Sequence, residues 1–294
     1  MIEISETLQA AIQDGKPQRF LLEFPDANGS YQDEDVTRFS NEDIAVDQGV
    51  RLNAPYNAEE ELTIGSCPSA ELQFSLLNDE RQIASFTFGE CKAWLGARID
   101  SGTPTMKTLT FREDGADRVY EFAPLGVFNV QRPDVVMKDM IQITANDRMA
   151  LFDKEMPNDT TLGITWPITL SGLVSAMCVY LDVPLASGTF LNSDLQITKR
   201  PKQFEGRTMR EVLRWIAEAA GSIARFNRSG ELEIGWFRVT NKVFTEGEYT
   251  EFAQTWYQTA IIDGLKVRNE EETSESSYGT DDNPYVIAGN PFLR

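Results

Sequence analysis

Carboxylates are the main side chains able to do chemistry in this chain, because its 294 residues include 46 Asp and Glu but no histidine. Without imidazole, the Ser-His-Asp and Cys-His catalytic units cannot form, and the commonest neutral zinc ligand is missing. A glycosidase needs only two carboxyl groups about 5 to 10 Å apart, but no pattern in the sequence distinguishes such a pair from solvated surface residues. We therefore predict that the chain is not an enzyme, and we assign no catalytic residue.

Two short acidic stretches are faintly similar to calcium-binding loops. They run from Asp26 to Gly29 and from Asp281 to Asn283. Both lack the spaced bidentate glutamate that such a loop requires, so each is interpreted as a turn. The glycine-rich patterns that hold phosphate groups are also missing from the sequence. No cofactor and no metal is expected, and no cofactor-binding or metal-binding residue is assigned.

Tryptophans could stack on a sugar ring, but their sequence neighbours favour burial. Trp236 continues an apolar strand pattern and Trp215 stands beside an apolar helix face, so core or interface packing is the preferred interpretation. The five tryptophans are Trp94, Trp166, Trp215, Trp236 and Trp256.

The cysteines match neither a disulfide framework nor zinc-ligand spacing, since they are odd in number and far apart. They are Cys67, Cys91 and Cys178. We expect all three to be reduced and mostly buried.

The elements that must position these side chains are organised around residues 206–237. Thr208 and Glu211 form the pattern of a capping box, and the helix that follows has one apolar face. Gly221 suits the left-handed residue that ends a helix. The apolar face consists of Met209, Val212, Leu213, Ile216, Ala217 and Ala220.

A hairpin is predicted directly after this helix. Its strands cover residues 222–226 and 231–237, separated by a turn rich in Asn, Ser and Gly. Leu232, Ile234 and Trp236 alternate along the second strand and fall on one face, so the hairpin and the helix can share an apolar layer. The result is a small α/β domain.

Upstream of this domain, the apolar pattern is that of short strands separated by turn residues. A short amphipathic helix over residues 3–14 precedes the strands, and a helical turn over residues 147–153 follows them. About eight short strands with no long helix between them indicate a barrel or a sandwich. The predicted strands are residues 19–24, 61–64, 70–77, 83–88, 91–99, 108–112, 119–123, 126–131 and 140–145.

Residues 156–167 are interpreted as a linker, and residues 170–181 as a second amphipathic helix. Beyond the hairpin, strand-like patterns resume at residues 239–244, 260–268 and 285–287, while the acidic residues 269–282 predict an exposed loop. Roughly 55 residues are too few for a second barrel like the first.

The predicted fold class is therefore α+β and predominantly β, in three parts. A β-barrel covers residues 1–155, the small α/β domain residues 156–238, and the start of a second, incomplete β-barrel residues 239–294.

Net charge narrows the possible partners. With 27 basic residues against 46 acidic ones, the formal charge is −19, so most of the surface repels a phosphate backbone and ordinary nucleic-acid binding is not expected. No apolar run approaches the roughly 20 residues that span a bilayer, and the amino terminus lacks a basic leader. We expect a soluble protein that is made in a cytoplasm and does not insert into a membrane.

The order of these segments resembles the hub proteins of long-tailed bacteriophages, also called baseplate hub or tail-associated proteins. The similarity is one of serial pattern and covers most of the chain. It is carried by ELTIGSCPSAELQFSLLND (61–79), FAPLGVFNVQRP (122–133), MIQITANDRMALFDK (140–154), REVLRWIAEAAGSIARFNRSGELEIGWF (210–237) and NPYVIAGNPFL (283–293).

This resemblance implies a structural role at the tip of a virion tail that is assembled in the bacterial host cytoplasm. The implied fold is a β-barrel, a small α/β domain and a second barrel, with three subunits forming a ring. The implied partners are two further copies of the chain, the tail tube, and the distal tail and tape-measure proteins. DNA passes through such a ring without being gripped, and an acidic lumen suits that passage.

Two alternatives from other functional classes remain open on the sequence. One is a tail-associated hydrolase that cleaves cell-wall glycan through a carboxylate pair. The other is a carbohydrate-binding adhesion module. Dye release from labelled peptidoglycan would identify the first, and a glycan array the second.

Overall fold

The structure, a computed structural model, describes residues 4–26, 30–31, 36–45, 49–55, 63–77, 89–131, 134–137, 140–236, 264–268, 275–280 and 284–293. Along these residues a large antiparallel sheet is followed by a unit of helices and short strands, and then by a small sheet. The prediction of a predominantly β chain is confirmed. The predicted domain boundaries, at residues 155 and 238, stay predictions.

The large sheet contains nine strands of the described residues. They are β1 (Gln18–Phe24), β2 (Thr37–Ser40), β3 (Val50–Asn53), β4 (Glu71–Leu77), β5 (Glu90–Arg98), β6 (Lys107–Glu113), β7 (Ala116–Val130), β8 (Asp134–Met137) and β9 (Met140–Asp147). Their order is β2-β1-β5-β7-β9-β4-β3, with β6 also on β7 and β8 also on β9. The two strands at the edges of the sheet are β2 and β3, and their pairing would close the sheet into a barrel. That pairing is not seen among the described strands, so the β-barrel of residues 1–155 stays a prediction.

Strand β7 joins the two halves of this sheet and corrects the sequence prediction. The sequence predicts two strands, at residues 119–123 and 126–131, but residues 116–130 form one strand of 15 residues and residue 131 lies just beyond it. Pro124 suggested a break because it has no backbone N–H. It lies opposite Trp94 at the point where the register with β5 shifts between Ala93 and Trp94, and this irregularity accommodates the proline within a continuous strand.

Strand β1 is buried on both faces, which explains its almost continuous apolar sequence. One face contributes to the main core of the sheet through Phe20, Leu22 and Phe24. On the other face, Leu21 contacts the aromatic rings of Tyr120 and Phe122 on β7. Two charged residues flank Leu21 on that face, and both are buried: Arg19 is 8% exposed and Glu23 is 2% exposed.

Helix α1 (Glu6–Gln13) covers part of the sheet, as its apolar spacing predicted. Ser5 begins the helix by accepting a hydrogen bond from the backbone N–H of Leu8. Leu8 is fully buried against Ala97 of β5 and Ala123 of β7. The small side chains on the two strands allow the helix to approach the sheet closely.

After the large sheet the chain forms a compact unit, here called the module (residues 148–236), around one apolar core. Its elements are a 3₁₀ helix (Arg148–Asp153), α2 (Asp159–Leu162), β10 (Ile168–Thr169), α3 (Leu170–Leu181), β11 (Gln196–Ile197), a second 3₁₀ helix (Lys202–Phe204), α4 (Met209–Ala219), β12 (Ile223–Phe226) and β13 (Leu232–Gly235). The predicted helical turn at residues 147–153 and the helix at 170–181 are confirmed. The predicted linker at residues 156–167 is wrong, because Met156, Leu162 and Ile164 are buried in the core and α2 lies within it.

Helix α4 forms as its capping signals predicted. Both hydrogen bonds of the capping box between Thr208 and Glu211 are present, and Gly221 has the left-handed φ of 56°. Every residue of the predicted apolar face is buried. The hairpin is confirmed as well, but Trp236 is 45% exposed because β13 ends at Gly235, so it does not share the buried face of Leu232.

Three strands near the carboxyl end form a small sheet. They are β14 (Gly264–Arg268), β15 (Glu275–Gly279) and β16 (Pro284–Ala288), in the order β15-β14-β16. The predicted exposed loop at residues 269–282 is corrected in part, since β15 lies inside it and pairs with β14 although all of its residues are exposed. The sequence did not predict this strand because its residues are mostly polar and show no alternation of apolar side chains. The predicted strands 83–88 and 239–244 lie outside the described residues. Of the predicted strand 61–64, residues 61–62 are not described and residues 63–64 are not in a strand.

Residues 290–293 return to the module rather than extending the small sheet. Phe292 is buried in the module core, where its ring lies edge-on to Phe204 at 6.0 Å. Asn290 is 1% exposed and donates from Nδ2 to the backbone oxygen of Trp215 (2.8 Å) and to Glu218 Oε2 (2.9 Å). The NPFL segment therefore completes the core that α4 organises.

Candidate functional site

The acidic stretch that begins at Asp26 contains the hydrogen bonds of a turn at its described ends. Asp26 Oδ1 accepts from the backbone N–H of Ser30 (2.6 Å), and the N–H of Asp26 donates to the backbone oxygen of Ser30 (3.0 Å). Residues 27–29 and the second stretch, residues 281–283, lie outside the described residues. Across the described ranges, no group of three Cys, Asp or Glu residues could hold a metal ion.

All three cysteines are buried free thiols, as predicted. Burial raises the pKa of each thiol, Cys67, Cys91 and Cys178, to about 12. Because the thiolate is the nucleophile, none of these sulfurs is activated for chemistry at neutral pH.

The four described tryptophans are not gathered into a sugar platform. Trp94 lies against the aromatic cluster of the large sheet. Trp166 and Trp215 pack against the module core, and Trp166 Nε1 donates to Asp159 Oδ2 at 2.7 Å. Trp256 lies outside the described residues. The preference for packing over ligand stacking is confirmed for Trp94, Trp166 and Trp215, whereas Trp236 is exposed.

Two carboxylates do meet in the large sheet, on the guanidinium group of Arg19. Its Nη2 donates to Glu42 Oε1 (2.8 Å) and to Glu113 Oε1 (2.6 Å). The hydrogen bond from Arg19 holds the pKa of each carboxyl below its ordinary value. A glycosidase needs one of its two carboxyls protonated as a general acid, which requires a raised pKa. This pair is therefore a structural ion network and does not fit glycoside hydrolysis.

Among the described residues, two carboxyls have a raised pKa, and both are engaged in local structure. Burial raises the pKa of Asp147, whose oxygens accept from Ser69 Oγ (2.7 Å) and from the backbone N–H groups of Ala70 (2.9 Å) and Met149 (3.1 Å). Burial also raises the pKa of Glu218, which accepts from Asn290. Each of these groups holds two segments of chain together, which is a structural task.

The large sheet and the module meet at Arg148, which follows β9 directly. Its Nε and Nη2 donate to the two carboxylate oxygens of Glu90 on β5, each at 2.8 Å, and its Nη1 donates to the backbone oxygen of Gly230 at 2.8 Å. Sequence analysis missed this junction, because Glu90 lies 58 residues before Arg148 and Gly230 lies 82 residues after it. No local pattern connects residues so far apart.

Gly230, at the tip of the β12–β13 turn, fits closely against the sheet. It has a φ of 77°, which favours glycine, and a Cβ atom at this position would lie 2.6 Å from Val127 Cγ2 of β7. The turn signal Asn-Arg-Ser-Gly predicted the hairpin, but the contact with β7 depends on tertiary structure. The hairpin tip is fixed against the sheet by this contact and by Arg148.

A cleft of ≈ 590 Å³ lies beside this junction. Its sheet side is lined mainly by apolar residues, among them Leu52, Pro55 and Leu125. Its module side is lined by Phe226 and by polar and charged residues of the β12–β13 hairpin. The cleft lies between described residues of the large sheet and of the hairpin. No described helix is long and apolar enough to cross a membrane.

The sequence matches no protein-family model and no curated protein. Among solved structures, the chain is similar to the prophage MuSo2 43 kDa tail protein from Shewanella oneidensis, with 12% identity and a TM-score of 0.47, over 92% of this chain and 72% of that one. It is also similar to the tail protein from Neisseria meningitidis MC58, with 10% identity and a TM-score of 0.42, over 92% of this chain and 66% of that one. Neither similarity is close enough to assign a function.

Proposed function

We propose that the chain is a non-enzymatic structural component of a phage or prophage tail. The observation that carries the proposal is the order of its parts. The segments that resemble hub proteins fall, in the hub order, on a β-sheet unit, on the helix and hairpin of an α/β module, and on the NPFL segment that closes the module core. This order of a sheet unit followed by a small α/β unit is what the resemblance implies.

The more specific proposal places the chain at the tail tip as a homotrimeric hub. Three copies form a ring that joins the tail tube to the tip, next to the distal tail and tape-measure proteins. DNA passes through this ring without being gripped. The formal charge of −19 supports passage, because like charges in the lumen repel the phosphate backbone.

The described residues favour a structural role over the hydrolase alternative. Their one carboxylate pair on a shared cation, Glu42 and Glu113, is held ionised by Arg19. The carboxyls with raised pKa, Asp147 and Glu218, each hold neighbouring chain segments by hydrogen bonds. Among the described residues, no specific contact favours a carbohydrate-binding module.

Immunogold electron microscopy tests the proposal directly. Antibodies raised against the purified chain are applied to particles from the phage or lysogen that encodes it. We expect gold at one end of the tail, and the chain in an immunoblot of the purified particles. Particles that carry complete tails but lack the chain in the immunoblot would contradict a structural role. Label along the whole tail or on the head would contradict the tip position.

A further inference from the structure

Helix α3 has an outer face that is apolar and open to solvent. This outer face consists of Ser175, Ala176, Val179 and Tyr180. Ser175 and Val179 are four residues apart, as are Ala176 and Tyr180, so the four side chains are neighbours on one side of the helix. Val179 is 78% exposed and Tyr180 is 43% exposed. The described part of the chain therefore leaves both of these apolar side chains uncovered.

The outer face of α3 also carries no charge, although a quarter of all residues in the chain are charged. From Asp159 to Asp182, the C-cap of α3, the sequence contains no Asp, Glu, Lys or Arg. A helix at the surface of a soluble protein normally presents charged side chains to water. Helix α4 follows this rule, since its exposed position is Arg214. Core packing explains the inner face of α3 but not the outer one.

Net charge limits which molecules are suited to this face. Two copies of the chain, each with a formal charge of −19, repel each other wherever their acidic side chains meet. The outer face of α3 adds nothing to that repulsion, and covering Val179 and Tyr180 removes apolar surface from water. A basic partner, by contrast, is attracted to the acidic surface and finds no ion pair on this helix. The face is therefore suited to association of the chain with itself.

We propose that the outer face of α3 is a contact surface between two copies of this chain. The inference rests on the proposed function, in which copies associate, and it names a surface through which they meet. In a ring the contact is head-to-tail, so this face lies against a different surface of the next copy. One helix face is smaller than a complete interface of about 1,600 Å², so it forms one part of the contact.

Matched charge variants of the full chain test the contact by sedimentation equilibrium. Val179→Glu places a carboxylate on the outer face, and Gln9→Glu adds the same charge at an exposed position of α1. Both positions are exposed, so the melting curves should match that of the parent chain. We expect Val179→Glu to weaken self-association about tenfold or more, and Gln9→Glu to leave it unchanged.

Salt gives a second test of the kind of contact. Association of the parent chain should strengthen between about 0.05 M and 0.5 M salt, because salt screens the repulsion between copies. A contact made by ion pairs would weaken over the same range.

Thiol labelling locates the contact directly. All three native cysteines are buried, so Ser175→Cys and Gln9→Cys each introduce one accessible thiol. Both variants are labelled with a maleimide at increasing protein concentration. Labelling of Ser175→Cys should slow as the chain associates, while the rate for Gln9→Cys should stay constant.

The outcomes separate this inference from the proposed ring. If the parent chain associates but Val179→Glu does so equally well, or if the Ser175→Cys thiol is not protected, the inference is overturned and the ring uses another surface. Equal weakening by Gln9→Glu, or association that weakens with salt, also overturns it. A parent chain that is monomeric at every concentration overturns it as well and leaves the face to a different protein, while immunogold still decides the role in the tail.

Discussion

The large sheet and the module bury their polar groups in different ways. In the sheet, buried charges form ion networks beside aromatic rings: the guanidinium carbon of Arg19 lies 4.3 Å from the centroid of Phe111, and Glu23 lies 2.7 Å from Lys107 Nζ. In the module, the helices surround an apolar core that includes Phe204 and Leu213. In the module, Thr169 and Thr208 cap α3 and α4, and ion pairs such as Arg200 with Asp159 and Arg210 with Asp153 join partly exposed side chains.

Because of this difference, the two regions should respond to different perturbations. An apolar core is sensitive to lost volume, because cavities cost free energy in proportion to their size. An ion network is sensitive to the loss of one partner and to protonation of its carboxyls. The module should therefore be more sensitive to a truncated core side chain, and the sheet to a lost cation or to acid.

The largest effect is expected in the module core. Leu213 is fully buried on α4, so Leu213→Ala should lower the free energy of unfolding by about 2 to 5 kcal/mol. Chemical denaturation of the purified variant measures this loss. A change below about 1 kcal/mol would show that the core collapses around the shorter side chain and is not tightly packed.

A smaller loss is expected when the sheet network loses its cation. Arg19→Met keeps an unbranched apolar stem but removes the cation that pairs with Glu42 and Glu113, at a cost of about 1 to 3 kcal/mol. Arg112→Met, at an exposed position of β6, is the matched control and should stay within about 0.5 kcal/mol of the parent. Equal effects of the two substitutions would contradict the role of the network.

Removing the cap of α4 should cost less than removing its core residue. Thr208 accepts from the backbone N–H of Glu211 at 3.2 Å, and Thr208→Ala should lower stability by about 0.5 to 2 kcal/mol. Thr208→Ser keeps the acceptor and serves as the control. A cap variant less stable than Leu213→Ala would mean that the module depends on helix ends more than on its core.

Acid should distinguish the two regions in a pH series. Arg19 lowers the pKa of Glu42 and Glu113. Their contribution to the stability of the sheet is therefore fully present above the ordinary pKa of 4.5, and it is lost as the pH falls through their lower pKa values in the folded protein. In α4 two effects oppose each other. Acid relieves the buried charge of Glu218, whose pKa burial raises, but it weakens the capping hydrogen bond from Thr208 that lowers the pKa of Glu211. Pulsed hydrogen exchange from pH 7 to pH 3 should show β1 and β6 losing protection before α4. Earlier loss in α4 would contradict this assignment.

The parts of the fold that could be predicted are those determined by nearby residues. The cap of α4, the buried face of that helix and Gly221 all follow from side chains three or four positions apart. The same holds for the burial of Leu8 on α1. Short-range spacing suffices because helix contacts are local.

The parts that could not be predicted depend on distant partners. Arg19 and Glu113 lie 94 residues apart, and the cleft requires Pro55, Pro124 and Arg225 to be brought together by the sheet and the hairpin. Strand β15 has no apolar alternation because all its residues are exposed, so only its pairing with β14 reveals it. A single sequence contains no direct signal for any of these contacts.

The proposed hub is a closed ring of three copies of the chain, and the mass of the chain in solution tests this proposal most directly. A ring built from one chain needs head-to-tail interfaces, each burying on the order of 1,600 Å². The charge of −19 opposes association, and about 0.5 M salt screens most of that repulsion. Sedimentation equilibrium in that salt should give three times the chain mass of 33.1 kDa. A stable dimer or tetramer, with no trimer at any concentration, would contradict the hub.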